Sequence, residues 1–215
     1  PATRSAPVFI RCNALARTMD ANALEDTLRK LGYGKLNPMQ EAAVKAGLLD
    51  AGNFVASAPT ASGKTLLALL KMAANKGRGK AVYIAPLRAL AAEKHREFTQ
   101  ALAAFEMSVA LTTGDLDSSD EQLAAFDVIV ATSEKLDSLL RHKTSWLDKV
   151  TLVVADEVHL LNDGHRGATL EIVLAKMRER GVNVMALSAT IPNAGEVAAW
   201  LQAKLFESNY RPTLL

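Results

Sequence analysis

The stretch Phe54-Val55-Ala56-Ser57-Ala58-Pro59-Thr60-Ala61-Ser62-Gly63-Lys64-Thr65-Leu66-Leu67-Ala68-Leu69-Leu70 passes from β-prone residues through a small polar loop into a helix-forming apolar run. A Gly-Lys-Thr between a strand and a helix has the context of a phosphate loop, in which backbone N–H groups and the helix N-terminus cradle phosphates. Pro59, Thr60, Ala61, Ser62, Gly63, Lys64 and Thr65 are therefore expected to wrap a bound nucleotide. Lys64 would neutralise β- and γ-phosphate charge, and the Thr65 hydroxyl would meet Mg²⁺. One position departs from the usual pattern, because Ala58 stands where the first glycine normally does. The competing explanation, a chance Gly-Lys-Thr, requires the flanking strand and helix to be accidental.

The same strand-then-helix alternation continues along the chain. Short apolar runs recur at Ala81-Val82-Tyr83-Ile84, Val109-Ala110-Leu111, Val128-Ile129-Val130, Leu152-Val153-Val154 and Val184-Met185-Ala186-Leu187. Helix-like segments lie near 64–75, 87–104, 133–141, 167–180 and 194–204. Strands with continuous rather than alternate apolar residues, separated by helices, predict an α/β fold with a mainly parallel central sheet covered on both faces. In such sheets ligands bind at the carboxyl ends of strands. Residues 1–52 read differently, with a strand at Val8-Phe9-Ile10, a helix near 20–31, a Gly32-Tyr33-Gly34 turn and a second helix from about Pro38. The cluster from Asp115 to Asp120 reads as a loop or helix start, with Glu121 placed for capping.

After one of those apolar runs comes Ala155-Asp156-Glu157-Val158-His159. Two carboxylates there would ordinarily be read as helix caps. Beside a phosphate loop they acquire a second reading: a carboxylate ending a neighbouring strand completes the Mg²⁺ site, which gives Asp156 that role. Glu157 would act as general base on the attacking water. His159 joins Lys64, Asp156 and Glu157 in the expected catalytic set, with no obvious part in the hydrolytic step itself, which suggests a coupling role.

Composition narrows the partners. The 215 residues carry a formal charge of +2 and 49% hydrophobic residues, which argues against disorder and against a uniformly basic nucleic-acid coat. Any nucleic-acid surface is local. Cys12 is the single cysteine, so no internal disulfide forms and a reducing cytosol is expected; no activating context for its thiol is visible. No apolar run reaches the roughly 18 residues of a membrane helix, and Lys71 interrupts the longest candidate. His95, His142 and His165 lack metal-ligand spacing and are read as surface residues, so no structural metal is expected. The start, Pro1-Ala2-Thr3-Arg4, has neither an initiating Met nor the pattern of a signal peptide, so a processed or shortened chain is expected.

Together the motifs resemble those of the superfamily-two helicases of the DExH-box type. Asp156-Glu157-Val158-His159 matches the box, Ser188-Ala189-Thr190 the motif linking hydrolysis to movement, and Leu36-Asn37-Pro38-Met39-Gln40 the adenine-reading segment. Pro86-Leu87-Arg88-Ala89-Leu90-Ala91-Ala92-Glu93-Lys94, Thr113-Gly114-Asp115 and Ala131-Thr132-Ser133-Glu134-Lys135-Leu136-Asp137-Ser138-Leu139-Leu140-Arg141 resemble its strand-contacting motifs. Arg166-Gly167-Ala168-Thr169-Leu170-Glu171 and Tyr210-Arg211-Pro212 narrow the match to the superkiller-like branch, which includes archaeal HelQ-type repair helicases and exosome-serving RNA helicases.

The resemblance implies a RecA-like motor domain over 36–215, with 1–35 as an extension packing on it. The second motor domain is absent from this sequence, and with it the arginine-rich motif that completes the ATP site. It further implies ATP and Mg²⁺ as cofactors and Gln40 as the reader of the base edge. Arg88, Thr113, Gly114, Thr132 and Glu134 become contacts to a single-stranded DNA backbone, with RNA as the alternative. Ser188 and Thr190, with Gln40 and His159, would form a relay from γ-phosphate to strand. Each strand contact has a plainer reading: Arg88 as a solvated helix residue, Thr132 or Ser133 as caps. Arg166 would face the strand or pair with Glu171, and Tyr33 would stack on adenine or serve a core or turn. The implied role is a helicase in DNA repair or recombination, located in the cytoplasm, at the nucleoid in a prokaryote or in the nucleus in a eukaryote. A phosphate-loop protein translocase would share the ATP motifs but not the strand motifs. The fragment alone could also act only as a nucleotide- and strand-binding module.

Overall fold

The computed structural model describes residues 21–114, 121–162, 164 and 167–212. The expectations placed on residues 8–10, Cys12, residues 115–120, His165 and Arg166 lie outside them. The described chain runs α1 (Ala21–Lys30), α2 (Pro38–Lys45), β1 (Asn53–Ser57), α3 (Lys64–Ala74), β2 (Lys80–Ala85), α4 (Arg88–Ala103) and β3 (Val109–Thr112). It continues with β4 (Val128–Thr132), α5 (Ser133–Arg141), β5 (Val150–Ala155), α6 (Gly167–Glu179), β6 (Asn183–Ser188), α7 (Ala194–Leu201) and β7 (Ala203–Glu207). Three short 3-10 turns, Gln122–Ala125, Ser145–Lys149 and Val158–Asn162, fill the connections.

All seven strands form one sheet in the order β3-β4-β2-β5-β6-β1-β7, and every neighbouring pair is parallel. Side chains of successive strand residues point to opposite faces, and here both faces are apolar. Phe54, Tyr83, Val130, Val154 and Met185 pack under α1 to α4 with Leu67, Leu70, Met72 and Phe98. Val55, Val82, Ile129, Val153 and Val184 pack on the other face with Leu136, Leu139, Val173, Met177 and Leu201 of α5 to α7. Continuous apolar runs are what a strand buried on both faces requires. Leu28 of α1, with Leu31 and Leu36, joins the first of these cores, so this part of the N-terminal region shares the interior of the sheet domain.

Two expectations need correction. The helix expected over 194–204 stops at Leu201, because Gln202 takes a left-handed backbone (φ 52°) and turns the chain into β7 alongside β1. β7 is an edge strand, and only Phe206 of its five residues is buried, stacked on Phe54. Its charged, half-exposed sequence carries no continuous apolar signal. The strand that ends at Asp156 is also not the immediate neighbour of β1: β6 lies between, pairing Val154 with Met185 on one side and Met185 with Phe54 on the other.

Lys71 does not end its helix, which continues to Ala74 with Lys71 buried. Its Nζ donates to the carbonyls of Leu48 (2.8 Å) and Asp50 (2.6 Å), fastening α3 to the turn after α2. Among the described residues no helix is long and apolar enough to cross a membrane. Burial pulls the Lys71 ammonium from 10.5 down to about 8, against the opposing pull of Asp50. Between those values the unfolded chain binds the proton that the folded chain has released, so folded stability should rise with pH across the window. The rise is at most about 3 kcal/mol. Urea denaturation from about pH 8 to pH 10.5 checks this: the rise should be present in the wild-type chain and missing from Lys71→Met, and parallel curves would refute it.

Candidate functional site

The loop after β1 is built around backbone contacts. The Ala58 N–H donates to the Ser188 carbonyl (3.1 Å), extending the β1–β6 ladder by one residue, and the Ala58 side chain is fully buried. Its φ is not positive, so alanine meets the demands of a position where glycine is usual. Gly63 is different. Its φ is +93°, and a Cβ there would lie 2.5 Å from Gln40 Nε2 and 3.3 Å from Asn37 Nδ2. Asn37 Nδ2 donates to the Ser62 carbonyl (3.0 Å) and Gln40 Nε2 to the Gly63 carbonyl (3.1 Å), so α2 is tied to the loop across that glycine.

The same two residues form a capping box at the start of α2, Gln40 N–H to Asn37 Oδ1 and Asn37 N–H to Gln40 Oε1, both 2.9 Å. Gln40 thus commits its amide oxygen and one N–H to the protein. Tyr33 is 41% exposed in the turn after α1.

Lys64 folds back over the loop and donates to the carbonyls of Ala58 (2.8 Å) and Pro59 (3.0 Å). Burial lowers the pKa of its ammonium, while the Glu157 and Asp156 carboxylates act to raise it. Asp156 is fixed by two donors, the Glu157 N–H to Oδ1 (3.0 Å) and the Tyr83 hydroxyl to Oδ2 (2.5 Å). Burial raises the Tyr83 pKa well above its ordinary value, with the Asp156 charge adding to the effect, so Tyr83 stays protonated and keeps donating. Glu157 has a left-handed backbone (φ 53°), a conformation uncommon for residues other than glycine and often found at functional sites. Its Oε2 stands 3.2 Å from His159 Nδ1, yet alignment is poor and both atoms are buried without a hydrogen bond. The turn carrying His159 leans on α6: a Cβ at Gly167 would come within 2.2 Å of the Leu161 carbonyl oxygen.

Thr65 lies in the first turn of α3, and its Oγ1 accepts a hydrogen bond from Lys94 Nζ (3.2 Å), an ammonium also held by Glu97 Oε2 at 2.8 Å. The hydroxyl of Thr65 and the carboxylate of Asp156 are hard oxygen donors of the kind Mg²⁺ selects. The buried, unpartnered Ser62 Oγ and the start of α3, which has no side-chain cap, fit a phosphate above the loop. Sequence reading missed Tyr83 and Lys94. A tyrosine in an otherwise aliphatic strand, ending two residues later, was the available signal for the first.

Ser188 and Thr190 part company in the structure. Ser188 is fully buried between the loop strand and β5, with its hydroxyl unpartnered, while Thr190 is exposed. Thr190 and Ala189 line a cavity of about 500 Å³ together with Pro59, Thr60, Ala61, Arg211 and Pro212. Ser57 Oγ reaches the Ala189 carbonyl (3.3 Å), a second tie between loop strand and coupling motif. Among the described residues no hydrogen bond joins Gln40, His159, Ser188 and Thr190 to one another; the first three meet the loop or the acidic pair separately, and Thr190 shares only a cavity with the loop.

The strand-contacting candidates gather in one place. Arg88, Thr113, Thr132 and Glu134 line a cavity of about 290 Å³ with Pro86 and Leu87, and Gly114 lies against the Arg88 guanidinium. Thr132 Oγ1 caps α5 by accepting from the Lys135 N–H (3.4 Å), so the plainer reading applies to its hydroxyl. The N-terminus of α4 has no side-chain cap, and Arg88 and Leu87 there are exposed. The uncapped helix start and its arginine thus line one cavity, a combination suited to a phosphate oxygen. His142 is exposed as expected, whereas His95 is half-buried and approaches the Val109 carbonyl (3.3 Å), joining α4 to β3.

Groups that orient metal ligands typically change metal affinity by about 10–100-fold when removed. Tyr83→Phe should therefore raise the Mg²⁺ concentration needed for nucleotide binding by about tenfold, with little change in binding in EDTA. Titration of a fluorescent ATP analogue against Mg²⁺ measures both.

A family model described as DEAD/DEAH box helicase matches residues 37–197. The protein named ATP-dependent DNA helicase Hel308 from Methanocella arvoryzae is 50% identical over 200 residues, 90% of this chain and 27% of its own length. Its namesake from Thermococcus kodakarensis is 50% identical over 195 residues, 89% of this chain and 17% of its own length. That from Pyrococcus abyssi is 48% identical over 195 residues, with coverages of 89% and 27%. This chain thus spans between 17% and 27% of the length of these relatives. The family match opens at Asn37, which ties α2 to the loop, and extends past Thr190, so it takes in the loop, the acidic pair and the strand cavity: the chain belongs to the DEAD/DEAH box helicase family.

Proposed function

We propose that this chain is the first of two RecA-like motor domains of an ATP-dependent DNA helicase, a translocase on single strands from the superkiller-like branch that serves repair or recombination in the cell interior. The observation that carries the reading is the common carboxyl edge of the sheet. The loop, Asp156 and Glu157 occupy one half of it, the cavity of Arg88 and Glu134 the other, and Tyr83 bridges β2 to Asp156 at the junction. The relatives' name, ATP-dependent DNA helicase, supports DNA over RNA as the strand.

In this reading the loop amides take the phosphates and Lys64 leaves the carbonyls of Ala58 and Pro59 to meet them. Thr65 and Asp156 would hold Mg²⁺, which would supply neutralisation of phosphate charge. Glu157 orients the attacking water and accepts its proton at a carboxylate oxygen. Arg88 and the first amides of α4 hold the strand by its phosphates, which makes contact independent of base sequence. A second motor domain closes on the cavity beside Thr60 and Thr190 and brings the arginine that stabilises the transferring phosphoryl group.

A binding-only behaviour of the isolated chain follows from the same arrangement, since an arginine of this kind contributes about 10³–10⁵ in rate in related NTPases. Mg-ATP hydrolysis with and without single-stranded DNA or RNA, alongside nucleotide binding, tests the proposal. The chain should bind ATP, Lys64→Ala should not, and turnover should stay at least about 10³-fold below that of a two-domain version. DNA should outcompete RNA of the same sequence. Absence of nucleotide binding would overturn the reading, and preference for RNA would move it to the RNA branch.

A further inference from the structure

Lys94 closes the Pro86–Lys94 stretch that resembles a strand-contacting motif, yet it does not line the strand cavity and instead touches the metal side of the site. It lies on α4, and its side chain reaches across to the first turn of α3, where Nζ donates to Thr65 Oγ1 at 3.2 Å. The lysine side chain is only 14% exposed, and its counter-ion Glu97, one turn further along α4, is 36% exposed. Among the described ion pairs Lys94 is the least exposed basic partner, the others ranging from 37% to 78%. A half-buried ammonium aimed at a threonine hydroxyl is not explained by solubility or by an ordinary i,i+3 pair.

We propose that Lys94 is a cation placeholder and positioning residue at the metal site: before a divalent cation arrives its ammonium holds the Thr65 hydroxyl, and Glu97 retains it when the cation takes that oxygen. The inference rests on the reading of Thr65 and Asp156 as metal ligands. A threonine hydroxyl has two lone pairs. With one of them engaged by an ammonium, a divalent cation ligated through the other would stand a single oxygen away from a like charge, in surroundings that screen poorly. The two cations therefore compete for Thr65. Glu97 offers Lys94 a resting place that does not touch the hydroxyl, and so sets how readily the ammonium yields. Lys94 sits six residues after Arg88, about 9 Å along the helix axis. The exchange thus takes place on the helix whose first residue lines the strand cavity.

The test is a titration of divalent cation, read by a fluorescent ATP analogue for Mg²⁺ and by electron paramagnetic resonance for Mn²⁺, on the chain and three variants of verified circular dichroism. Lys94→Met should lower the half-saturating cation concentration about three- to tenfold, with nucleotide affinity in EDTA within about twofold of wild type. Glu97→Gln should move it the other way, because the ammonium has lost its alternative partner. Lys94→Arg should stay near wild type. A placeholder predicts opposite shifts for Lys94→Met and Glu97→Gln, whereas a merely structural pair shifts both together. The proposal is overturned if Lys94→Met leaves the cation requirement unchanged or raises it while wild type remains cation-dependent. Nucleotide binding by wild type that ignores Mg²⁺ altogether would instead remove Thr65 and Asp156 as ligands, and this inference with them.

Discussion

A sheet buried on both faces, with every strand running the same way, leaves polar chemistry one place to go. The faces are closed by the apolar contacts of α1 to α4 on one side and α5 to α7 on the other. Parallel strands bring all their carboxyl ends to a single edge, where chains turn toward helix N-termini and unpaired amides face outward. The phosphate loop, the acidic pair, the coupling motif and the strand cavity all lie along that edge. Their order is the strand order, so the site is arranged by the topology before any polar residue is considered.

Within that arrangement, β6 has the decisive position. Placed between β1 and β5, it sets the buried Ser188 between the loop and Asp156, and its last carbonyl accepts from Ala58, the first residue of the loop. The loop and the backbone of Ser188 are therefore joined directly, without a side chain between them. Tyr83 plays the corresponding part on the other flank of β5, where β2 carries the polypeptide toward Arg88. The acidic pair is held from the strand side as well as from the loop side.

Much of this was legible in the sequence, and what was missed has physical causes. Runs such as Val128-Ile129-Val130 announce a strand covered on both faces, and Gly63-Lys64-Thr65 between strand and helix announces the loop. β7 escaped because an edge strand beside one partner needs only Phe206 inside and tolerates Lys204 and Glu207 outside. The separation of β1 from β5 escaped because strand order is decided by packing among segments far apart in the chain, on which local pattern is silent. Lys71 read only as the charge that interrupts an apolar run, since nothing local reveals that two backbone carbonyls from the α2 turn await its ammonium. Tyr83 and Lys94 are of the same kind: each is assigned by a partner 73 or 29 residues away.

The strand order also bears on how the molecule is made. Both neighbours of β1 come from the end of the chain, Met185 beside Phe54 on one side and Ala203 beside Asn53 on the other. At about 5–20 residues per second, a ribosome needs roughly 6–26 s to pass from Phe54 to its first partner. Throughout that interval a strongly apolar strand has no ladder on either side, in a topology whose long-range pairing is slow to form. The nucleotide loop is thus among the last parts of the domain to acquire its shape, and a nascent chain interrupted before residue 183 would leave β1 open to foreign strands. If the loop takes nucleotide as proposed, competence for ATP and completion of the sheet coincide, because both wait for β6 and β7.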